Sequence, residues 1–284
     1  MMTSKLHHRI DGAQQAERLP GGSSDPCWDS LIREVSEMAE SETMLASYLH
    51  ATVLNHRCLE DSLSYLLAEK LATAYLSAMS TREIIDMAFA GSEAIRKAMR
   101  TDLLAVADRD PAARGLAQPF LHFKGYHALQ SYRVAHWLWH EGRSPLAFYF
   151  QNRISMTFDI DIHPAAKIGE GILIDHGSGV VIGETAVVGN DVSMLHGVTL
   201  GGTGKEKGDR HPKIGDGVLL GAGATVLGNV HVGTGSKIGA GSLVLADVAP
   251  HTTVVGIPAK TVGRPTVAEP ALAMDQGWEL DYSI

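Results

Sequence analysis

Large aliphatic side chains recur at every sixth residue through much of the C-terminal half of the chain: Ile214, Leu220, Val226, Val232, Ile238 and Val244. Four residues after each stands a small or branched side chain: Val218, Ala224, Val230, Ser236, Ser242 and Val248. Most positions between are Gly, Ala, Asn, Asp or Thr. An amphipathic helix needs apolar spacing near 3.6 and an ordinary strand near 2. Period six with intervening glycines predicts a β-helix of hexapeptide repeats, each giving one short flat strand and one turn around a shared interior. The same register runs upstream through Ile162, Ile168 and Ile174, and again through Ile182, Val188, Met194 and Leu200.

The register breaks twice. Between Ile174 and Ile182 the step is eight, so two residues are inserted around Asp175-His176-Gly177-Ser178-Gly179. Between Leu200 and Ile214 the step is fourteen, and the segment 201–211 is too polar for a coil interior. That segment is expected to leave the coil as a loop. A regular scaffold broken at two places, both carrying histidine and charge, marks where chemistry is to be sought.

The N-terminal half has a different pattern. Leu31, Val35, Met38 and Leu45 recur near helical spacing, as do Leu63, Leu66, Leu67 and Leu71, and glycine is scarce. Ser80-Thr81-Arg82-Glu83 looks like a helix start, and Asp110-Pro111 like a helix break. The predicted fold class is α+β. Residues 1–24 form a flexible extension, residues 25–157 an all-helical domain of six or more helices, residues 158–262 a parallel β-helix, and residues 263–284 an irregular tail. The coils leave open ends and flat faces. The helices are expected to cap one end, and the faces to pack between chains, most simply as a trimer with active sites between neighbours.

Composition narrows the function. The net charge of −8 argues against a nucleic-acid backbone binder. Two cysteines, Cys27 and Cys58, fit neither a disulfide framework nor a zinc pattern. With no membrane-length apolar run and no signal-peptide core, a cytoplasmic location is expected.

Several residues are candidates for chemistry. His176 is a natural general base near neutral pH. Asp161 lies fifteen positions before it, less than one coil of about eighteen residues. From spacing alone, an Asp161–His176 dyad and a pair of polar turn residues are equally plausible. Arg210-His211 sits in the ejected loop with Lys205, Lys207 and Lys213, a locally basic patch on an acidic chain that favours an anionic ligand. His163, His196, His231 and His251 read as structural. The β-helix contains no His-x4-His pair, and His136 and His140 share a helix face without a third ligand, so no metal site is expected.

The chain resembles one family closely, the serine O-acetyltransferases of cysteine biosynthesis. The resemblance rests on Phe123-Lys124-Gly125-Tyr126-His127-Ala128-Leu129-Gln130, Asp161-Ile162-His163-Pro164-Ala165-Ala166-Lys167-Ile168-Gly169, Asp175-His176, Gly183-Glu184-Thr185-Ala186, Val198-Thr199-Leu200-Gly201-Gly202-Thr203-Gly204-Lys205, Asp209-Arg210-His211-Pro212-Lys213-Ile214 and Gly256-Ile257-Pro258-Ala259-Lys260. It covers roughly residues 45–263, including the helical part that general hexapeptide acyltransferases lack. It implies a left-handed β-helix, trimers or dimers of trimers, and transfer of acetyl from acetyl-CoA to the hydroxyl of L-serine.

On matching positions, the resemblance makes His176 the general base and Asp161 its orienting carboxylate. Arg210 and His211 would hold the serine carboxylate, and Asp110 and Asp175 its ammonium. Gly201-Gly202 would supply oxyanion donors. Gly202, Ala222 and Ala240 are small enough to line a CoA groove, with Lys237, Lys260 and Arg264 near its phosphates. The terminal Ile284 implies capture by O-acetylserine sulfhydrylase, and L-cysteine is implied as a feedback inhibitor. Two other readings stay open: acetylation of a sugar or antibiotic on the same coils, and a non-catalytic scaffold that regulates the sulfhydrylase.

Overall fold

A computed structural model describes residues 25–204 and 207–277. Its helices are α1 (Pro26–Ser41), α2 (Ala46–Leu49, continued by a π-helical turn His50–Leu54), α3 (Leu59–Leu71), α4 (Ala78–Gly91), α5 (Glu93–Arg109), α6 (Ala117–His122), α7 (Lys124–His140) and α8 (Ser144–Phe158). Side-chain caps fix several starts. Asp25 accepts the N–H groups of Cys27 and Trp28 at the head of α1, and Ser92 accepts that of Ile95 at the head of α5. The start of α4 is capped by Ser77, not by the expected Ser80, because Ser77 Oγ accepts the Ser80 N–H.

The chain then winds into a left-handed β-helix of three parallel sheets. Sheet A contains β1 (Ile160–Ile162), β4 (Val180–Ile182), β7 (Thr199–Gly201), β10 (Thr225–Leu227) and β13 (Leu243–Val244). Sheet B contains β2 (Lys167–Ile168), β5 (Val187–Val188), β8 (Lys213–Ile214) and β11 (His231–Val232). Sheet C contains β3 (Leu173–Ile174), β6 (Ser193–Met194), β9 (Leu219–Leu220), β12 (Lys237–Ile238), β14 (Thr253–Gly256) and β15 (Ala259–Gly263). Strand β15 pairs antiparallel with β14 and closes the far end.

Register shows why period six works. Val181 pairs with Thr199 and Thr225 with Leu243, eighteen positions on in each case. Three hexapeptides therefore make one coil, and every sixth side chain turns inward: Ile182, Leu200, Val226 and Val244 are all buried. The two breaks lengthen single coils. Ile160 pairs with Val180, twenty positions on, and Thr199 pairs with Thr225, twenty-six on.

The helices dock on the first coils through buried polar contacts. Asp102, fully buried, pairs with Arg133 at 2.7 Å and accepts the Ile172 N–H. Arg133 reaches Gly169 O at 2.7 Å, and Tyr132 donates to Ala166 O. Gly125 approaches the coil so closely that a Cβ there would lie 2.0 Å from Ile174 O, which explains a glycine in the first turn of α7.

The C-terminal segment corrects the expected irregular tail. A short helix, α9 (Pro270–Ala273), packs fully buried Ala271 against Leu195 and Leu219 on sheet C. Ser193 Oγ donates to Ala271 O at 2.9 Å, and Asp275 accepts from Lys237 and Thr266. Small and apolar outward positions on sheet C give this segment a surface to bind. The residues 1–24 and Ile284 of the sequence reading lie outside the described residues.

Candidate active site

The two-residue insertion lies at the corner where sheet C turns into sheet A. There His176 adopts φ 56, followed by Gly177 and Gly179 at φ 72. Left-handed backbone is sparsely populated by residues with a Cβ, and histidine tolerates it better than most. The conformation turns the ring outward, leaving the side chain 75% exposed. It faces a cavity of about 410 Å³ lined by Asp110, Gln118, Lys124, Asp175 and Ser178 among others. Asp175 Oδ1 lies 3.5 Å from His176 Nε2. Burial holds the Asp175 carboxyl above the usual carboxylate range; His176 opposes that shift and the Asp110 carboxylate adds to it. Lys124 donates to Ser178 at 2.5 Å, and the His196 ring from the next coil lies 6.1 Å from that of His176.

The longer insertion lies at the corner where sheet A turns into sheet B. Thr185 organises it. Its Oγ1 accepts the backbone N–H groups of Arg210 and His211 at 3.0 and 3.1 Å. The Thr185 N–H, which can only donate, points at His211 Nδ1 at 3.2 Å. That assigns the neutral ring its proton on Nε2, beside Gly183 and Gly202. Burial lowers the His211 pKa and the Arg210 charge lowers it further, so the ring is held neutral with an N–H donor. Arg210 itself pairs with Glu184 at 2.6 Å, and that hydrogen bond holds the Glu184 carboxyl below its ordinary range.

Sequence-level expectation and geometry part company at several points. Within one chain Asp161 does not touch His176: its carboxylate accepts from Gln151 Nε2 at 2.7 Å, out on the face of sheet A. Less than one coil of separation put the two on different sides of a corner. Within one chain Gly202 does not share a groove with Ala222 and Ala240, because it follows β7 in sheet A while they follow β9 and β12 in sheet C. Lys237 is not a surface lysine waiting for a phosphate. It is 4% exposed and bonded to Asp275 and to Gly277 O. Ala240 and Lys237 do line one cavity of about 320 Å³, roofed by Gln276. Lys260 and Arg264 stay exposed. Sequence reasoning gave no role to Thr185, Glu184, Lys124 or Arg109. Thr185, Glu184 and Lys124 stand in quoted motifs, but the function of the first two is visible only once the loop folds back on them.

A β-helix of hexapeptide repeats, entered through a helical cap and broken at two corners by histidine-bearing insertions, defines the class of hexapeptide-repeat transferases. Residues 211–246 match the family described as bacterial transferase hexapeptide (six repeats), and residues 27–131 match serine acetyltransferase, N-terminal. The chain is 53% identical to the serine acetyltransferase of Escherichia coli strain K12 over 249 residues, 88% of this chain and 91% of that one. It is 55% identical to serine acetyltransferase 2 of Arabidopsis thaliana over 251 residues, 88% of this chain and 78% of that one. Among solved structures, serine acetyltransferase from Vibrio cholerae superposes with a TM-score of 0.88 at 57% identity, covering 89% of this chain and 98% of that one. Similar folds include a serine acetyltransferase in complex with cysteine (TM-score 0.87, 52% identity; 89% of this chain, 98% of that one) and one in complex with CoA (TM-score 0.80, 52%; 83% and 98%). The chain belongs to the serine acetyltransferase family and is a serine O-acetyltransferase.

Proposed function

We propose that this enzyme transfers the acetyl group of acetyl-CoA to the hydroxyl of L-serine with His176 as general base. The observation that carries the reading is the outward imidazole at the inserted corner, 75% exposed in a cavity with two carboxylates. His176 takes the serine proton as the hydroxyl oxygen attacks the thioester carbonyl carbon. The new C–O bond forms, the C–S bond breaks, and the proton passes to the departing sulfur to give CoA. Asp110 and Asp175 hold the ammonium. Arg210 and the Nε2–H of His211 hold the carboxylate. Gly201-Gly202 offers backbone donors for the developing oxyanion.

One chain carries these parts on two separate corners, and the assembly resolves the separation. Sheet A lies between the corners. Its outward residues Asp161, Val181, Thr199, Thr225 and Leu243 carry one charge and stay partly or fully exposed. Sheet C is covered by its own C-terminal segment, and sheet B turns Lys167, Lys213 and His231 outward. Sheet A is therefore the face for a threefold neighbour, and packing it brings the His176 corner of one protomer to the Arg210 corner of the next. Asp161, on that same face, then meets the partner's His176. Ala222 and Ala240 likewise join the partner's Gly202 in one CoA groove, with Lys260 at its edge. Exposed Met44 and Tyr75 on the helical half, 88% and 98% accessible, offer a second contact for pairing trimers.

L-Cysteine, one atom different from serine, fits the same contacts and would compete there. The C-terminal Ile284 would enter the sulfhydrylase active site. Removing it is expected to leave acetyl transfer intact and abolish pull-down of that partner; retained pull-down contradicts the assignment. The catalytic reading is tested by thiol release from acetyl-CoA with L-serine as acceptor. A sugar or aminoglycoside acceptor in place of serine, or tail-dependent binding without turnover, would replace it.

A further inference from the structure

We propose that Glu34, on α1 and outside the substrate cavity, is a positioning residue for serine, fixing the 110–117 loop so that Asp110 stays across the cavity from Asp175. The inference rests on Asp110 as a ligand of the substrate ammonium. The loop is held at both ends. At its start, Arg109, 4% exposed at the side chain, donates to Gly171 O at 2.9 Å and pairs with Asp191 at 2.8 Å, pinning the end of α5 to the coils. Asp110 Oδ1 accepts the Ala112 N–H at 2.8 Å, which turns the chain sharply.

At its far end the loop is held by a carboxylate, beside the Arg114 N–H that Gln118 Oε1 accepts at 3.1 Å. Glu34 Oε2 accepts the N–H groups of Leu116 and Ala117 at 2.7 and 2.8 Å. These are free donors at the head of α6, and an ionised acceptor holds them more strongly than a neutral one. Gly115 lies at φ +96, and a Cβ there would sit 2.5 Å from Glu34 Oε2. The carboxylate thus rests directly on bare backbone. Ser30 Oγ donates to the other oxygen at 3.3 Å. Ala112, Gln118 and His122 line both the Asp110–His176 cavity and the adjoining hollow where Glu34 lies, so the loop and α6 together form the wall between Glu34 and substrate.

Without this acceptor the loop pivots about Arg109, and Asp110 loses its fixed place. Glu34→Ala is expected to raise KM for L-serine about tenfold, with kcat and KM for acetyl-CoA within about twofold, as for loss of a charge-assisted bond that serves binding alone. Glu34→Gln keeps an acceptor oxygen and should rescue most of the loss; if the alanine variant fails to fold by circular dichroism, Glu34→Asp, whose shorter side chain withdraws the carboxylate from the Leu116 and Ala117 N–H groups, carries the test. The decisive measurement is a double-mutant cycle with Asp110→Asn. If Glu34 acts through Asp110, the double variant shows the serine KM of Asp110→Asn alone. Unchanged serine KM in a folded Glu34→Ala or Glu34→Asp variant, or effects that multiply in the double variant, overturns the proposal. A silent Asp110→Asn would instead overturn the reading of Asp110 on which it stands.

Discussion

The two broken corners of the β-helix carry the same residue types and treat them in opposite ways. At the C-to-A corner, a two-residue insertion turns His176 into solvent with its side chain 75% exposed and Asp175 within ion-pair distance. At the A-to-B corner, the long loop folds back, so that His211 is 7% exposed and its tautomer is set by Thr185. An exposed ring can gain and lose a proton; a buried ring with an assigned tautomer can only recognise. Insertion length makes the difference. Two extra residues are enough to reverse the backbone, whereas a long loop can return and bury its own side chains.

The sharpest way to break this contrast is to remove the exposed ring. His176→Ala is expected to lower kcat by about 10²–10⁴-fold while barely changing KM for serine, as for loss of a general base. Retention of kcat in steady-state assays would move the proton transfer elsewhere. At the other corner the balance should invert. Arg210→Ala is expected to raise serine KM by about 10–100-fold, the worth of a hydrogen-bonded charge of about 1.5–3 kcal/mol. A fall in kcat alone would contradict a purely recognising corner.

The smallest effect concerns the carboxyl beside His176. Because burial raises the folded-state pKa of Asp175, the folded chain binds a proton there more readily than the unfolded chain does. The ionised carboxylate therefore costs stability above its folded pKa, and the cost fades as pH falls to its unfolded value near 3.9. Asp175→Asn should raise the melting temperature at pH 7 by no more than about 4 °C, with the gain shrinking toward pH 4. A gain independent of pH would show that the charge is not its cause.

Much of this was legible in the residue order. The inward positions of every coil, the two insertions and the loop follow from period six, since strand register in a β-helix is a local property. What the order hides depends on contacts far apart in sequence. Nothing local shows that Lys237 turns in to meet Asp275, or that residues 270–273 form a helix that packs on Leu195 and Leu219. Spacing placed Asp161 near His176 yet could not tell that a corner intervenes. Thr185 stood in a motif without a role, because its task is to receive a loop that starts sixteen residues later, at Gly201.

The split of the machinery between opposite edges of one flat face also has a genetic corollary. Two crippled alleles, one lacking the imidazole at 176 and the other the guanidinium at 210, should cover for each other when co-expressed. In the proposed trimers, mixed at random, about a quarter of the seams would join an intact edge from each polypeptide. Two defects on the same edge would share no such seam, and their mixture would stay silent.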